Sequence, residues 1–454
     1  MPIRLKSPPR SLDLETSTLP VQREKTHDFS ARSTAGRLLI CTLVIGISTL
    51  IYSWSTLWIV PQSFFFNPDK AYEYRYSDHR LQETRPYIAA ANVSSDGSLA
   101  SPVSGNSPVI CAAMVTVKRK TVQYVSDSVS TMLSGLTPEE RNAIDARLLF
   151  ANIDATVHPN WNETWLDVLD WWGAYNITDG ETAMLRKYKA EKHVYAKGLF
   201  DYTYMLEQCL NETTAPYIAL LEDDIVFADG WVAKTLDALA TIRQKPEPWL
   251  YLRLFFTEWQ LGWDKDVDSM ATNPVLWFVL PTVFSVVLAL AFKVRCYHIK
   301  RDINHAHCTW TWVMLGITIP TILTLIFLIR PDGFRPTKGV VEMNTKGCCA
   351  QALVYPRNQV PALIDHIREV ARGPTDLVIE KYANKAELAR YAIVPQLVQH
   401  VGLISTRGMP KKWTQQTWAF GFEGQKAEQL KLEHKQLARW GIWRAQSDDD
   451  TLLS

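Results

Sequence analysis

Two apolar runs of membrane length in the middle of the chain, Pro274 to Phe292 and Thr309 to Ile329, set the first limit on what this sequence can fold into. A hydrocarbon core of about 30 Å is crossed by a helix of about 20 apolar residues. Each run contains a proline, Pro281 or Pro320, which membrane helices tolerate better than soluble ones. A third run, Leu38 to Val60, carries no charged residue, and a cleaved leader would have a shorter apolar core nearer the start. The sequence therefore predicts three spans.

Charge orients them. Arg4, Lys6, Arg10, Arg23, Lys25, Arg32 and Arg37 precede the first span, and Lys293, Arg295, Lys300 and Arg301 lie between the second and third. Basic residues mark the cytoplasmic side, so the remaining segments are expected in the lumen. Asn92-Val-Ser94, Asn162-Glu-Thr164, Asn176-Ile-Thr178 and Asn211-Glu-Thr213 are glycosylation signals, and all fall between the first two spans. The predicted order is a disordered cytoplasmic tail (1–37), span (38–60), lumenal stem (61–108), first half of a soluble domain (109–273), span (274–292), cytoplasmic loop (293–308), span (309–329) and second half (330–454). Cys111, Cys209, Cys348 and Cys349 are lumenal in this scheme and free to form disulfides, with pairing unreadable from sequence. Cys41, Cys296 and Cys308 are expected in the membrane or on the reducing side. The loop's Cys296, His298, His305, His307 and Cys308 have irregular spacing that does not match a zinc site.

A formal net charge of +1 over 454 residues lacks the basic excess of a nucleic-acid binder. Seventeen Trp is a high count, and such rings serve cores and membrane interfaces as well as sugar sites. No charged residue interrupts the three runs, which disfavours a transporter.

Both predicted lumenal segments alternate strands with helices. Val109 to Val117 reads as a strand and is followed by Lys118-Arg119-Lys120 and a helix to Leu136; Arg147 to Ile153 is another strand, and Lys187 to Leu210 is mainly helix. Beyond the spans, Gly347 to Pro356 and Val394 to Gly402 read as strands, with helices at Pro361 to Arg372, from Thr375 or Asp376 onward, and at Gln425 to Arg444 with Trp440 and Trp443. This is the pattern of an α/β sheet. Within it, Tyr217 to Leu221 has the character of a central strand and ends in Glu222, Asp223 and Asp224. Open α/β sheets place ligands beyond the carboxyl ends of their strands. Strand periodicity puts Glu222 and Asp224 on one side and Asp223 on the other. Charges between two buried segments are costly unless paired or metal-bound, and hard oxygen ligands suit Mg²⁺ or Mn²⁺ together with substrate phosphates.

Together these segments resemble a glycosyltransferase of the GT-A type, and specifically the post-GPI-attachment GalNAc transferase family. The resemblance rests on Leu221-Glu-Asp-Asp-Ile225, Trp249-Leu-Tyr-Leu-Arg-Leu-Phe255 with Glu258 and Leu261-Gly-Trp263, Cys348-Cys-Ala-Gln351, Pro374-Thr-Asp376 and Gln399-His-Val-Gly402. It extends from Leu38 onward and includes the layout, a transferase domain interrupted by a transmembrane helical hairpin after an amino-terminal span. A more distant similarity to N-acetylglucosaminyltransferase IV runs through Lys197-Gly-Leu-Phe-Asp-Tyr202, the acidic motif and Gln399-His400.

The resemblance implies a Golgi enzyme that moves N-acetylgalactosamine from a UDP-sugar, with a manganese-type cation, to a mannose of a GPI glycolipid or GPI-anchored protein, with inversion. It implies metal ligation by Asp224 and His400, with Glu222 on the ribose or a metal-bound water and Asp223 holding the turn. The base is expected to be Asp376, with Glu258 and Glu380 as runners-up. Uridine is expected near Thr116, Lys118 or Arg119, with Asp201 close by. Competing structural roles are a helix cap for Asp376, worth about 1 kcal/mol, solvated charge for Lys118 and Arg119, and a buried, hydrogen-bonded histidine for His400. The spans would hold the site near the bilayer surface and raise the effective concentration of a lipid-anchored acceptor. An N-glycan transferase and a non-catalytic glycan-binding membrane protein stay open as rival readings.

Overall fold

The computed structural model describes residues 23–61, 63–93, 108–258, 275–298, 305–329, 338–343, 345, 347–402 and 417–449. The start of the tail, the Ser-rich end of the stem, Leu261-Gly-Trp263 and the centre of the predicted loop lie outside these, as do the side chains of His298, His305, His307, Trp440 and Trp443. The chain forms two compact units, each assembled from discontinuous segments: Met1–Tyr52 with Pro274–Phe327, and Ser53–Asn273 with Leu328–Ser454.

Three helical stretches, Ala35–Ile59, Val275–Tyr297 and Cys308–Ile329, are long and apolar enough to cross a membrane. The second continues past Phe292 through Lys293 and Arg295, because basic side chains at a helix end can keep the backbone helical while their charges reach outward. Helix also begins at Arg23, within the expected tail. Cys296 and Cys308, expected in the membrane or on the reducing side, are joined.

The second unit is built on an eight-stranded mixed sheet. Its strands are β1 (Ile110–Thr116), β2 (Ile144–Phe150), β3 (Trp171–Gly173), β4 (Tyr217–Glu222), β6 (Trp249–Arg253), β7 (Gly339–Glu342), β8 (Ala352–Pro356) and β9 (Ala389–Val394), in the order β3-β2-β1-β4-β8-β6-β9-β7; β5 (Ile225–Phe227) and β10 (Val398–His400) form a separate antiparallel pair. Among these, β3, β2, β1 and β4 run parallel, as do β6 and β9, whereas β8 is antiparallel to β4 and β6, and β7 to β9. Strands from both sides of the apolar helices thus share one sheet.

Alternation explains why both faces are covered. Ile110, Ala112 and Met114 of β1 face one apolar core, while Cys111 and Ala113 face the other; Tyr217, Ala219 and Leu221 of β4 oppose Ile218 and Leu220 in the same way. Helices Val125–Leu133 and Trp231–Arg243 fill the first core, and Val194–Glu212, Val360–Val370 and Thr375–Lys385 the second. Each Leu or Ile buried in this way stabilises the fold by about 1.5–3 kcal/mol. Cys111 is bonded to Cys209, tying β1 to the helix that covers it.

Several expected elements are shorter. Lys187 to Leu210 breaks between Ala190 and Val194, where Lys192 has φ 57°. The strand expected from Gly347 starts only at Ala352, because Cys348 is bonded to its neighbour Cys349, whose φ is 81°. Extended pairing is not available to such a backbone. Pro395 separates β9 from β10, so Val394 to Gly402 contributes to two sheets.

Residues 63–93, expected in the stem, belong to the same unit as the sheet. Glu423 accepts the backbone N–H groups of Arg75, Tyr76 and Ser77 at 2.8, 3.0 and 3.2 Å, satisfying the open amino end of helix Tyr76–Val93. Arg80 on that helix donates to the carbonyls of Phe227, Thr131 and Ser134.

Candidate active site

The chain runs outward from β1 to β2 to β3 and then returns to place β4 on the other side of β1. A reversal of this kind leaves a crevice at the carboxyl ends of the two strands, where open α/β sheets bind ligands. β1 ends at Thr116 and β4 at Glu222. A cleft of about 680 Å³ lies at the opposite ends of these strands, lined by Val109, Tyr217, Pro356 and Arg357, and none of the residues discussed below lines it.

The acidic turn is held from beneath. Ser128 Oγ donates toward the carbonyls of Asp223 and Ile225, at 2.6 and 2.7 Å, and accepts from Ile225 N at 3.1 Å. Asp223 accepts from Thr116 Oγ1 at 2.6 Å through Oδ2 and pairs with Arg119 through Oδ1. Thr116 Oγ1 lies 3.3 Å from His158 Nε2, and His158 Nδ1 accepts Asn160 N–H at 3.2 Å. That acceptor role puts the ring proton on Nε2, so the chain of donors runs from His158 through Thr116 to Asp223. Burial, reinforced by Lys118 and Arg119, pushes His158 down to about 4, which keeps it neutral near pH 7.

Asp224 faces the other way, toward β10. Its Oδ2 lies 3.3 Å from His400 Nε2 and 2.9 Å from Arg119 Nη2. Burial opposes its charge, yet His400 and Arg119 together hold the carboxyl well below the usual carboxylate range. Pairing of β5 with β10 brings this about, since His400 sits opposite Ile225. Asp224 O accepts Val401 N–H at 2.8 Å. Gly402 is required next to it, because a Cβ there would overlap Asp224 Oδ2 and come within 2.9 Å of His400 Nε2.

Glu222, Asp224 and His400 each offer one ligand atom, and these lie within 4.8 Å of one another. Asp224 Oδ1 is buried with no hydrogen-bond partner among the described residues. A buried oxygen of this kind is costly unless something binds it. Burial opposes the charge of His400, yet Asp224 raises its pKa; its Nδ1 is 3.0 Å from Thr417 Oγ1, and with a proton kept on Nδ1 the loss of the Nε2 proton makes Nε2 a neutral ligand. The donor set of two carboxylates and one imidazole, with an open oxygen, fits a divalent cation such as Mn²⁺.

The remaining candidates are distributed around this end of the sheet. Asp201 binds Lys197 Nζ at 2.7 Å and pairs with the Tyr175 hydroxyl, and Lys197 also donates to Ala151 O just beyond β2. Lys118 is exposed, and its backbone N–H binds Asn152. Asp376 lies in the first turn of its helix, with Pro374 as the cap residue. It accepts Cys349 N–H at 3.0 Å and Leu377 N–H at 2.9 Å. Cys349 is close to the crevice through Gln351, whose carbonyl accepts Glu222 N–H at 2.9 Å. Glu258 accepts three donors, Gln396 Nε2, Phe420 N and Gly421 N, and burial raises its pKa. Glu380 accepts from Tyr251 at 2.5 Å and pairs with Arg253 and Arg390 at 3.2 and 3.0 Å.

Sequence reasoning missed His158 and Ser128. His158 stands in a loop 42 positions after Thr116, where no periodicity points to it. It also missed that Arg119 lies on the acidic pair.

The sequence model of the family described as GPI-N-acetylgalactosamine transferase PGAP4 matches residues 110–399. The match opens on β1, takes in the acidic triplet and Asp376, and ends one residue before His400. No curated protein matches the chain.

Proposed function

Because this chain belongs to the GPI-N-acetylgalactosamine transferase PGAP4 family, we propose that it moves N-acetylgalactosamine from a UDP-sugar to a mannose of the GPI-anchor glycan, with inversion, in a GT-A-type site that uses Mn²⁺ or Mg²⁺. The observation that carries a cation-assisted reaction is the partnerless Oδ1 of Asp224 beside Glu222 and His400. A bound divalent cation supplies Lewis-acid neutralisation of the leaving diphosphate. Asp224 and His400 would hold it, Glu222 would complete the cluster, and Thr116 keeps Asp223 in place.

Inversion calls for a carboxylate that takes the acceptor hydroxyl proton as the new bond forms. Asp376 is the base in this reading. Its two backbone donors leave lone pairs on both oxygens, and it is half-buried rather than sealed. Glu258 is occupied by Gln396 and the backbone N–H groups of Phe420 and Gly421, and Glu380 by Tyr251 and Arg253 of β6.

A lumenal Golgi location for the α/β unit is supported by the Cys111–Cys209 bond, which belongs to an oxidising compartment. Asn92, Asn162, Asn176 and Asn211 are all exposed, as glycan acceptors must be. Three spans, with the second and third inserted between the two halves of the transferase, complete the topology.

Turnover of UDP-N-acetylgalactosamine by the purified chain tests the reading, with UDP-N-acetylglucosamine and UDP-galactose as competing donors. Asp224→Ala is expected to lower turnover by about 10²–10³-fold or more, and chelation to abolish it. Mass spectrometry of GPI glycans from cells lacking the protein should show the side chain gone and N-glycans unchanged. Turnover that survives both chelation and Asp224→Ala removes the metal-dependent mechanism.

A further inference from the structure

Arg119 sits where the cation-binding reading does not need it. Its Nη2 bonds Asp223 Oδ1 and also lies 2.9 Å from Asp224 Oδ2, the same oxygen that is 3.3 Å from His400 Nε2. Its side chain is 10% exposed, and those of Asp223 and Asp224 are 6% and 7% exposed. One guanidinium therefore bridges two adjacent buried carboxylates that would otherwise repel each other, and His400 shares the compensation of Asp224.

Two features give that guanidinium somewhere else to go. Its Nε is buried and has no acceptor among the described residues, so the resting pair leaves a donor unused. The backbone of Arg119 is fixed, with its N–H on Gln123 Oε1 at 3.1 Å and its carbonyl on Gln123 Nε2 at 2.8 Å. Only the side chain, lying over the Tyr124 ring at 5.1 Å, is left to change partners. A phosphate is the acceptor that a guanidinium fork matches best.

We propose that Arg119 is an internal counter-ion that couples the two ligands, blocking divalent cation at Asp224 until a nucleoside diphosphate draws the guanidinium away. This rests on the cation-binding reading above and goes beyond it by fixing the order of loading. A cation on either oxygen of Asp224 would sit close to the guanidinium, and the two like charges oppose each other while Nη2 remains 2.9 Å from Oδ2. Once Arg119 moves to the diphosphate, Asp224 and His400 are free to act as ligands and the buried carboxylates keep their compensation. Cation and nucleotide then bind cooperatively, and each must tighten the other by the same factor.

The test is Mn²⁺ binding to the purified full-length chain, measured by electron paramagnetic resonance with and without UDP and corrected for Mn²⁺–UDP complex in solution. The wild-type chain should bind Mn²⁺ at least about tenfold more tightly when UDP is present, equivalent to about 1.4 kcal/mol. Arg119→Gln should bind Mn²⁺ alone at least about tenfold more tightly than wild type, with UDP adding less than about threefold. Arg119→Lys keeps the charge without the fork, and is expected to stay weak for Mn²⁺ alone. A folded Arg119→Gln whose Mn²⁺ affinity without UDP is unchanged or weaker overturns the proposal. So does the absence of Mn²⁺–UDP coupling in the wild-type chain, a measurement that needs no variant. Failure of the wild type to bind Mn²⁺ in either condition removes the cation-binding reading as well, which separates the two failures.

Discussion

Thr116 shows how one hydroxyl fixes a buried carboxylate. It donates to Asp223 at 2.6 Å while lying 3.3 Å from His158 Nε2, so Asp223 turns its other oxygen to Arg119. Thr116→Val keeps the shape and removes the donor. A buried acceptor stripped of its partner costs about 1–3 kcal/mol, and thermal or urea unfolding should show a loss in that range. Lys118→Ala, at an exposed neighbour, should stay within about 0.5 kcal/mol. If the two variants unfold alike, the His158–Thr116–Asp223 chain has no structural weight. The sequence made Asp223 and Asp224 visible because charges interrupt an apolar run there, and it made Gly402 and His400 visible through the family motif. His158 was invisible because its partner is reached only through the loop after β2. Arg119 was seen as a cation near the first strand, but its place on the acidic pair depends on how β4 lies beside β1.

The carboxy-terminal helix Ala427–Asp449 packs against helix Trp231–Arg243, where Lys234 pairs with Glu433 at 2.8 Å and a buried histidine adds a clamp. His434 Nδ1 lies 2.8 Å from Asp229 Oδ1, and its Nε2 lies 2.8 Å from Glu140 Oε2. Gly230, with φ 70°, lets the helices approach, since a Cβ would stand 2.8 Å from His434 Cβ. Burial disfavours the imidazolium, but Asp229 and Glu140 outweigh it and raise the pKa from 6.5 to about 9. A raised folded-state value means that the stabilisation is fully present below about pH 6.5 and is lost as pH climbs through about 9. Its ceiling is about 3 kcal/mol at 1.4 kcal/mol per unit. Unfolding measured from pH 6 to 9.5 should show this decline, and His434→Gln should flatten it. An equal slope in both proteins would assign the decline to other groups. The helix itself was legible from its charge and length; its clamp was not, because Asp229 and Glu140 come from a turn and a short helix far away in the sequence. The shorter β8 has a similar cause, since a bond between adjacent cysteines overrides the apolar run around it.

At the scale of the whole molecule, the apolar pair is a detour within one sheet. The chain leaves after β6 and re-enters at β7, and both strands lie against β9. Apolar runs and strand–helix alternation revealed the three long helices and the α/β class from sequence, but the insertion of β8 between β4 and β6 is a non-local pairing that local pattern does not encode. Because the detour begins and ends in the same sheet, the proposed three-span topology tethers the α/β unit at two points as well as through its amino-terminal segment. A soluble fold gains nothing in stability from such a detour, which costs loop-closure entropy. A gain appears when the acceptor is itself anchored in lipid, because tethering both partners to one surface raises their effective concentration. Replacing residues 275–329 with a soluble linker, while retaining the amino-terminal helix, should therefore leave UDP-sugar hydrolysis and transfer to a soluble glycan within about threefold of wild type. Transfer to a GPI-anchored acceptor in vesicles should fall by about 10²-fold or more. Parallel loss of all three activities would mean that the apolar pair is needed for the sheet to assemble. Full retention of the anchored reaction would mean that the amino-terminal helix alone brings enzyme and acceptor together.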